Sequence, residues 1–284
     1  MTPFRRRNRL DRSRIARGRN RADAQDQLDD SVDFEVEELE LVKPRARSKG
    51  IYLLPNAFTT AALFCGFFAI VQAMNHQFEA AAIAIFASLV LDGMDGRIAR
   101  MTNTQSAFGE QYDSLADMVS FGVAPALVAY EWVLKDFGKW GWLAAFTYCA
   151  GAALRLARFN ANTGVVDKKF FQGLPSPAAG ALIAGFIWLA DDNKLPVRDS
   201  AIPWVTFLIT IYAGLTMVSN ARFYSGKALD IRYRVSFGVM VLMILTFVLI
   251  SSNPPLTLFG FFVIYAVSGY VIWAWERFTG RKLT

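Results

Sequence analysis

Cysteine and histidine are scarce in this chain of 284 residues, which contains two cysteines and one histidine. Cys65 and Cys149 both lie inside apolar runs, so we expect buried free thiols and neither a disulfide framework nor a zinc site. His76 lies in a short polar loop, where we assign it no chemical role. The N-terminal region also lacks the apolar stretch of a secretory signal peptide, so we expect none. The chemistry of this protein therefore rests on other side chains.

Charge is sparse as well, since charged residues make up 19% of the chain and hydrophobic residues 54%. This balance is too apolar for an ordinary soluble domain and predicts an all-α, polytopic integral membrane protein. A net charge of +6 is compatible with nucleic-acid binding, but the basic residues follow membrane topology instead, so we expect no nucleic-acid partner. We predict about eight transmembrane helices, at residues 53–74, 79–99, 114–134, 141–159, 175–189, 203–219, 235–251 and 255–275.

Residues 1–50 differ from the rest in composition. An arginine-rich part is followed by an acidic block, and such blocks of like charge cannot bury enough apolar surface to fold alone. We therefore predict a disordered cytoplasmic tail at 1–50 and a transmembrane catalytic domain at 51–284. The alternative for the tail is an arginine arm that contacts anionic lipid and is masked by the acidic block.

Lysine and arginine are unevenly distributed between the two sets of loops. One set is rich in them, whereas the opposite set holds Lys135, Lys139, Lys194 and Arg198. The positive-inside rule places the richer set in the cytoplasm, together with both termini. The sequence thus predicts a protein of a bacterial-type inner (cytoplasmic) membrane, with its polar motifs on the cytoplasmic side.

Four aspartates interrupt the apolar sequence around the junction of the second and third predicted helices. Asp92 and Asp95 are three residues apart, and Asp113 and Asp117 are four apart, so each pair shares one helix face. Converging carboxylates repel one another unless divalent cations neutralise them, and hard oxygen ligands suit Mg²⁺, Mn²⁺ or Ca²⁺. Ionisable residues are costly inside a membrane and mark a functional site there. We predict a metal-dependent active site within residues 92–117.

Small residues and an arginine accompany these acids. Gly96 stands where a side chain would block the approach of a ligand to the backbone, and Ala99 and Gly109 keep the same helix faces shallow. Arg100 can bind a phosphate through its fork of donors. Together these residues predict a phosphate-bearing substrate that binds through cations. The alternatives are salt bridges from the acids to Arg97 and Arg100, or an ion pathway in a transporter or cation channel.

The spacing Asp-x₂-Asp-Gly-x₂-Ala-Arg-x₈-Gly-x₃-Asp-x₃-Asp within residues 92–117 resembles the signature of the CDP-alcohol phosphotransferase family. Enzymes of this family transfer a phosphatidyl-type group from a CDP-linked lipid to an alcohol and release CMP. The resemblance implies that Asp92, Asp95 and Asp113 bind one or two divalent cations, with Mg²⁺ or Mn²⁺ favoured over Ca²⁺. It implies that Asp117 completes the metal site and acts as general base on the acceptor hydroxyl.

The resemblance also implies a binding site for the CDP group. Its expected members come from the first predicted helix and from the acidic motif: Asn56, Thr59, Asp92, Gly96, Ala99, Arg100 and Gly109. The small residues would make room for the cytidine nucleotide, and Arg100 would hold its phosphate. For Asn56 and Thr59 the alternative is simple helix initiation next to a proline.

Four stretches resemble the phosphatidylserine synthase branch of this family, at residues 54–59, 151–160, 170–177 and 217–225. In the second stretch, Arg155 and Arg158 could bind the carboxylate of an amino-acid acceptor or a lipid phosphate, or they could be snorkelling cations that anchor the helix. The third could close over the acceptor or form a plain loop. Arg222, in the fourth, could assist phosphate or serine binding or act as a positive-inside anchor.

These resemblances imply a reaction between CDP-diacylglycerol and L-serine that gives phosphatidylserine and CMP. The nearest alternative is the same chemistry with glycerol 3-phosphate or inositol phosphate as acceptor, and a remote one is a membrane transporter or cation channel. The resemblance further implies a six-helix core with two added helices, a surrounding lipid bilayer and a homodimer.

Overall fold

The computed structural model describes residues 53–102, 104, 106–161, 170–195, 201–224 and 237–279. The predicted tail at residues 1–50 lies outside these ranges. The described chain is mostly helical, as predicted. The helices are α1 Leu53–Met74, α2 Phe78–Thr102, α3 Ala107–Asp117, α4 Ala124–Trp132, α5 Lys139–Ala161, α6 Ser176–Asp192, α7 Ile202–Val218, α8 Phe237–Ser252 and α9 Pro254–Thr279. Seven of the eight predicted apolar segments each correspond to one α-helix, and the third, 114–134, is divided among α3, a π-helical segment and α4.

The third predicted helix starts earlier than the hydropathy pattern indicated. We predicted a start at residue 114, but α3 begins at Ala107, with Ser106 as its N-cap. The Ser106 hydroxyl accepts a hydrogen bond from the backbone N–H of Gly109 at 3.0 Å, which satisfies one of the unpaired donors at a helix start. Because capping is a local polar interaction, it extends this helix through residues that are not apolar.

A π-helical segment, Met118–Val123, joins α3 to α4. It begins directly after Asp117 and packs tightly against α1, since a Cβ atom added at Gly66 would lie 2.7 Å from the Cα atom of Ser120. The π-helical segment is also held by α5, because the buried Tyr148 hydroxyl donates to the carbonyl oxygen of Phe121 at 2.8 Å. This packing fixes the direction in which the end of α3 presents Asp117.

The Tyr148 hydroxyl offers a test of this packing. We expect Tyr148→Phe to lower the free energy of unfolding by about 1–3 kcal/mol, because the Phe121 carbonyl would remain buried without a donor. Thermal unfolding in detergent measures the change. Tyr130→Phe is the matched control, since its hydroxyl makes no hydrogen bond with any residue that the structure describes. Equal melting temperatures for the two variants would contradict the role of Tyr148.

Small residues let the helices of the bundle approach closely. The buried core is rich in alanine, for example Ala69, Ala81 and Ala144, each fully buried. At the crossing of α5 and α7, a Cβ atom added at Gly151 would lie 2.4 Å from the carbonyl oxygen of Gly214. Such small-residue contacts are how helices pack where apolar burial gives little preference, as in a membrane.

A small two-stranded antiparallel sheet accompanies the helices, which otherwise agree with the all-α prediction. Strand β1 Phe170–Gln172 pairs with β2 Arg222–Tyr224, with Gln172 opposite Arg222. The sheet was missed because its strands are far apart in sequence and too short for a periodic pattern. Directly after β1, Gly173 adopts a φ of 77°, and a Cβ atom there would lie 2.2 Å from the carbonyl oxygen of Met217. The sheet therefore joins two of the stretches that resemble the synthase branch.

The described helices differ in how much apolar surface they expose. By length and composition, Pro55–Met74 and Pro254–Thr279 are long and apolar enough to cross a membrane, and Ile202–Val218 and Phe237–Ser252 are apolar and shorter. Helix α8 has no buried residue, and Phe247 on it is 72% exposed. Continuous exposed apolar surface of this kind marks contact with a membrane or another apolar partner.

Candidate active site

Helices α2 and α3 bring three of the four aspartates together. One carboxylate oxygen from each of Asp92, Asp95 and Asp113 lies within 4.8 Å of the others. These hard oxygen donors suit a divalent cation such as Mg²⁺ or Mn²⁺. The Oδ1 atom of Asp113 is buried and has no hydrogen-bond partner among the described residues, so it is available as a ligand. The donor set therefore fits a metal ion.

Asp95 is held in place by two hydrogen bonds. The hydroxyl of Thr59, on α1, donates to its Oδ2 atom at 2.7 Å, and the backbone N–H of Gly96 donates to its Oδ1 atom. Thr59 was predicted as a CDP contact, and the structure places it against a carboxylate of the cluster as well. Helix α1 thereby orients one side of the site.

Asp113 is half-buried on α3 and faces like charges, because a carboxylate oxygen of each of Asp92 and Asp95 lies within 4.8 Å of its own. A cation between the carboxylates would offset this repulsion and favour their ionised forms. The electrostatics of the cluster thus agree with its donor set.

Asp117 lies beside the three-aspartate cluster. Its carboxyl group interacts electrostatically with Asp92 and Asp113 and with the guanidinium group of Arg155. Asp117 and Arg155 do not form an ion pair with each other in the part of the chain that is described. The ion pair found among the residues that the structure describes joins Lys135 and Glu131. Asp117 therefore interacts both with the predicted metal ligands and with the predicted acceptor-binding arginine.

A cavity of about 650 Å³ opens beside the cluster. Six of the seven residues predicted to bind CDP line it, and they are Asn56, Thr59, Gly96, Ala99, Arg100 and Gly109. Asp92, the seventh, faces the other carboxylates. Four further polar or aromatic residues that line the cavity were not predicted from the sequence, and they are Thr104, Ser106, Glu110 and Phe159. Of these, Ser106 carried a detectable signal as a helix N-cap.

The alternative of salt bridges within the motif is not borne out in the described part of the chain. Arg97 and Arg100 are both exposed, and neither forms an ion pair with the aspartates. The Nε atom of Arg100 donates to the carbonyl oxygen of Gly96 at 3.0 Å. Arg100 is thereby held at the cavity wall, where its remaining donors are available for an anion.

Gly96 supports a test of the cavity. A Cβ atom at Gly96 or at Gly93 would meet nothing within 4 Å, but Gly96 lines the cavity and Gly93 does not. We expect Gly96→Leu to weaken binding of CDP-diacylglycerol at least about tenfold, because the side chain would occupy the ligand's space. Gly93→Leu is the matched control on the same helix, and binding of a labelled CDP-lipid measures both. Equal affinities would show that the cavity is not the CDP site.

The predicted acceptor arginines have different surroundings. Arg155 donates through its Nη1 atom to the hydroxyl of Ser176 at 3.2 Å, and its Nε atom is buried without a partner among the described residues. Arg158 instead donates to the Oδ1 atom of Asn220 at 3.4 Å. Arg222 lies in β2, opposite Gln172. Of the three arginines, Arg155 is the one that interacts with Asp117.

A carboxylate cluster beside a polar cavity on a helical bundle agrees with the family signature, and the chain belongs to the CDP-alcohol phosphatidyltransferase family, whose model matches residues 52–218. A CDP-diacylglycerol–serine O-phosphatidyltransferase of Helicobacter pylori (strain ATCC 700392 / 26695) is 38% identical over 218 residues, which cover 76% of this chain and 90% of the relative. A relative of the same name from Methanocaldococcus jannaschii is 32% identical, over 66% of this chain and 81% of that protein. One from Mycobacterium tuberculosis (strain ATCC 25618 / H37Rv) is 41% identical, over 52% and 53%.

Proposed function

We propose that this protein transfers the phosphatidyl group of CDP-diacylglycerol to the hydroxyl of L-serine and releases CMP. The observation that most supports this proposal is the cluster of Asp92, Asp95 and Asp113 beside the cavity. Several relatives named CDP-diacylglycerol–serine O-phosphatidyltransferase support the choice of serine, including one that matches over 90% of its own length. The protein is then a phosphatidylserine synthase.

In this proposal the aspartates hold the divalent cation, Mg²⁺ or Mn²⁺. Asp92, Asp95 and Asp113 supply the ligand oxygens, and Asp117 completes the set. When bound, the cation neutralises the diphosphate and stabilises the leaving group. Thr59 keeps Asp95 in its orientation through the hydrogen bond at 2.7 Å, so the ligands are arranged before substrate arrives.

The CDP group of the lipid occupies the cavity. Asn56 and Thr59 contact it from α1, while Gly96, Ala99 and Gly109 leave the walls shallow. Gly109 has a second effect, because a Cβ atom there would lie 3.1 Å from the Oγ atom of the N-cap residue Ser106 and would crowd that hydroxyl. Arg100 binds a phosphate of the nucleotide.

Asp117 acts as the general base, and Arg155 binds the acceptor. Arg155 holds the carboxylate of serine with the donors that the protein leaves unpaired, which places the serine hydroxyl near Asp117. Asp117 accepts the hydroxyl proton as the oxygen forms its bond to the phosphatidyl phosphorus. The bond from that phosphorus to the CMP oxygen breaks in the same displacement. Arg158, near the end of the same helix as Arg155, and Arg222, on β2, assist in binding the acceptor or the phosphate.

The same proposal places the protein in a lipid bilayer. We infer that residues 51–284 form a transmembrane catalytic domain with an added pair of C-terminal helices, and that residues 1–50 form a cytoplasmic tail. The positive-inside pattern supports a cytoplasmic active site and cytoplasmic termini in a bacterial-type inner membrane. The exposed apolar surface of α8 supports contact with lipid. We further propose a homodimer, on the resemblance to the family alone.

The function is tested with purified full-length protein in mixed micelles of CDP-diacylglycerol. Release of CMP is measured with Mg²⁺ or Mn²⁺ and with serine, glycerol 3-phosphate or inositol phosphate as acceptor. We expect release with serine, together with formation of phosphatidylserine. If serine gives no CMP while a phosphorylated alcohol does, the chemistry stands and the serine assignment is wrong.

A further inference from the structure

The turn between β1 and α6 is held rigidly against the end of α7 and the residues that follow it. The backbone N–H of Gly173 donates to the carbonyl oxygen of Ala221 at 2.9 Å. The backbone N–H of Leu174 donates to the carbonyl oxygen of Thr216 at 3.2 Å. A Cβ atom added at Gly173 would collide with the carbonyl oxygen of Met217, so the turn has no room to shift. The position at which α6 begins is therefore fixed by these backbone contacts.

Ser176 is the first residue of α6 and is fully buried. Serine at the start of a helix commonly caps the helix with its hydroxyl. In α6, however, the N-cap residue is Pro175, and no side chain caps the helix. The Ser176 hydroxyl instead accepts a hydrogen bond from the Nη1 atom of Arg155, on α5, at 3.2 Å. This serine therefore contacts another helix and does not cap its own.

Helix α5 packs closely on the same part of α7. Gly151 lies one turn before Arg155 on the same face of α5, and a Cβ atom added at Gly151 would collide with the carbonyl oxygen of Gly214. The backbone that carries Arg155 and the turn that carries Ser176 are thus both set against the last part of α7. These contacts between backbones fix the distance across which the two side chains meet.

The hydrogen bond to Ser176 is the one that the Arg155 guanidinium makes with the described residues. The Nε atom of Arg155 is buried and has no partner among them. A long side chain loses conformational freedom when it binds a ligand, and a partner that holds it beforehand removes part of that cost. Ser176 engages one of the five N–H donors of the group, so it can orient the guanidinium and leave other donors free.

We propose that Ser176 is a positioning residue, which holds the Arg155 guanidinium in the orientation that binds the carboxylate of the amino-acid acceptor. This inference rests on the proposed function, in which Arg155 binds that carboxylate. For the stretch at residues 170–177, the sequence left open a lid over the acceptor or a plain loop. Its role is instead that of a rigid support, because the turn at Gly173 fixes Ser176 and Ser176 fixes Arg155.

The test uses Ser176→Ala in the full-length protein, which removes the hydroxyl and leaves the backbone contacts of the turn in place. Initial rates of CMP release are measured against serine and against CDP-diacylglycerol. We expect the apparent KM for serine to rise roughly three- to tenfold, the cost of ordering one long side chain on binding. The kcat and the KM for CDP-diacylglycerol should stay unchanged. An apparent KM does not depend on the fraction of folded protein.

Two further variants control for the loss of a buried serine. Ser88→Ala is the matched control, since Ser88 is also fully buried and its hydroxyl donates to the carbonyl oxygen of Ala62 at 2.9 Å. Its KM for serine should equal that of the unmodified protein. Ser176→Cys nearly keeps the volume of the side chain but offers only a weak acceptor. It should raise the KM for serine even if the alanine variant folds poorly.

A double-mutant cycle separates positioning of Arg155 from a general effect at the start of α6. If Ser176 acts through Arg155, adding Ser176→Ala to Arg155→Ala should raise the KM for serine no further than Arg155→Ala alone. Substitutions that act independently would multiply their effects on KM instead, because their free energies add.

The outcomes are distinguishable. An unchanged KM for serine in both Ser176→Ala and Ser176→Cys overturns the positioning role, even when serine supports CMP release. An equal factor of increase with and without Arg155 also overturns it, as does an equal rise in the KM for CDP-diacylglycerol. Absence of serine-dependent release from the unmodified protein would instead overturn the proposed function.

Discussion

Replacement of Asp117 by asparagine is expected to lower CMP release by roughly 10²–10⁴-fold, the range that a general base contributes. Asparagine keeps the shape of the side chain but cannot take up the proton of the acceptor hydroxyl. Asp117 does not line the cavity, so binding of CDP-diacylglycerol should change little. A large loss of turnover with nearly normal nucleotide binding is therefore the expected signature.

Two measurements on the same preparation give this signature. Turnover is followed by CMP release, and binding by a labelled CDP-lipid in the absence of acceptor. Asp192→Asn is the control, since Asp192 is exposed at the end of α6. Turnover like that of the unmodified protein would remove Asp117 from the role of base, and loss of binding together with turnover would make it chiefly a ligand-holding residue.

Removal of divalent cations is expected to abolish turnover completely, and added Mg²⁺ or Mn²⁺ to restore it. The reason is the proximity of Asp92, Asp95 and Asp113, whose oxygens lie within 4.8 Å of one another and would repel the diphosphate of the substrate. Asp113→Ala removes one of these ligands. Substitution of a residue that only hydrogen-bonds to a metal ligand typically lowers metal affinity about 10–100-fold. Loss of a ligand itself should therefore weaken Mn²⁺ binding on the order of 100-fold or more.

Mn²⁺ binding can be titrated directly, without substrate and independently of activity. Glu79→Gln is the control, because Glu79 is exposed at the opposite end of the helix that carries Asp92 and Asp95. Full turnover after exhaustive chelation would contradict the metal requirement. Equal Mn²⁺ affinity of Asp113→Ala and the unmodified protein would show that Asp113 is not a ligand.

Much of the bundle could be predicted from the sequence because hydropathy is a local property. Each predicted apolar segment is helical, and the ends of the first, 53–74, agree with α1 Leu53–Met74. The start of α3 was predicted too late, because the N-cap residue Ser106 begins this helix within a polar stretch of the sequence. Hydropathy carries no information about such a cap, whereas side-chain chemistry does.

The elements that could not be predicted depend on contacts between distant parts of the chain. The pairing of β1 with β2 joins residues about fifty positions apart. The π-helical segment after Asp117 depends on close contact with Gly66 and on the hydroxyl of Tyr148. Ser176 looked like an ordinary residue at the start of a helix, because its hydrogen bond to Arg155 exists only once α5 and α6 have reached their places in the bundle.

The aspartate motif and the two arginines of α5 show where the limit lies. The shared faces of Asp92 with Asp95 and of Asp113 with Asp117 follow from helical periodicity, which operates over a few residues, so the chemistry could be predicted from the order of residues alone. Arg155 and Arg158 are equivalent by the same criterion. Only packing separates them, because Arg155 donates to Ser176 and interacts electrostatically with Asp117, while Arg158 donates to Asn220. The environment of a side chain is set by residues remote in sequence, and that environment decides which arginine interacts with Asp117.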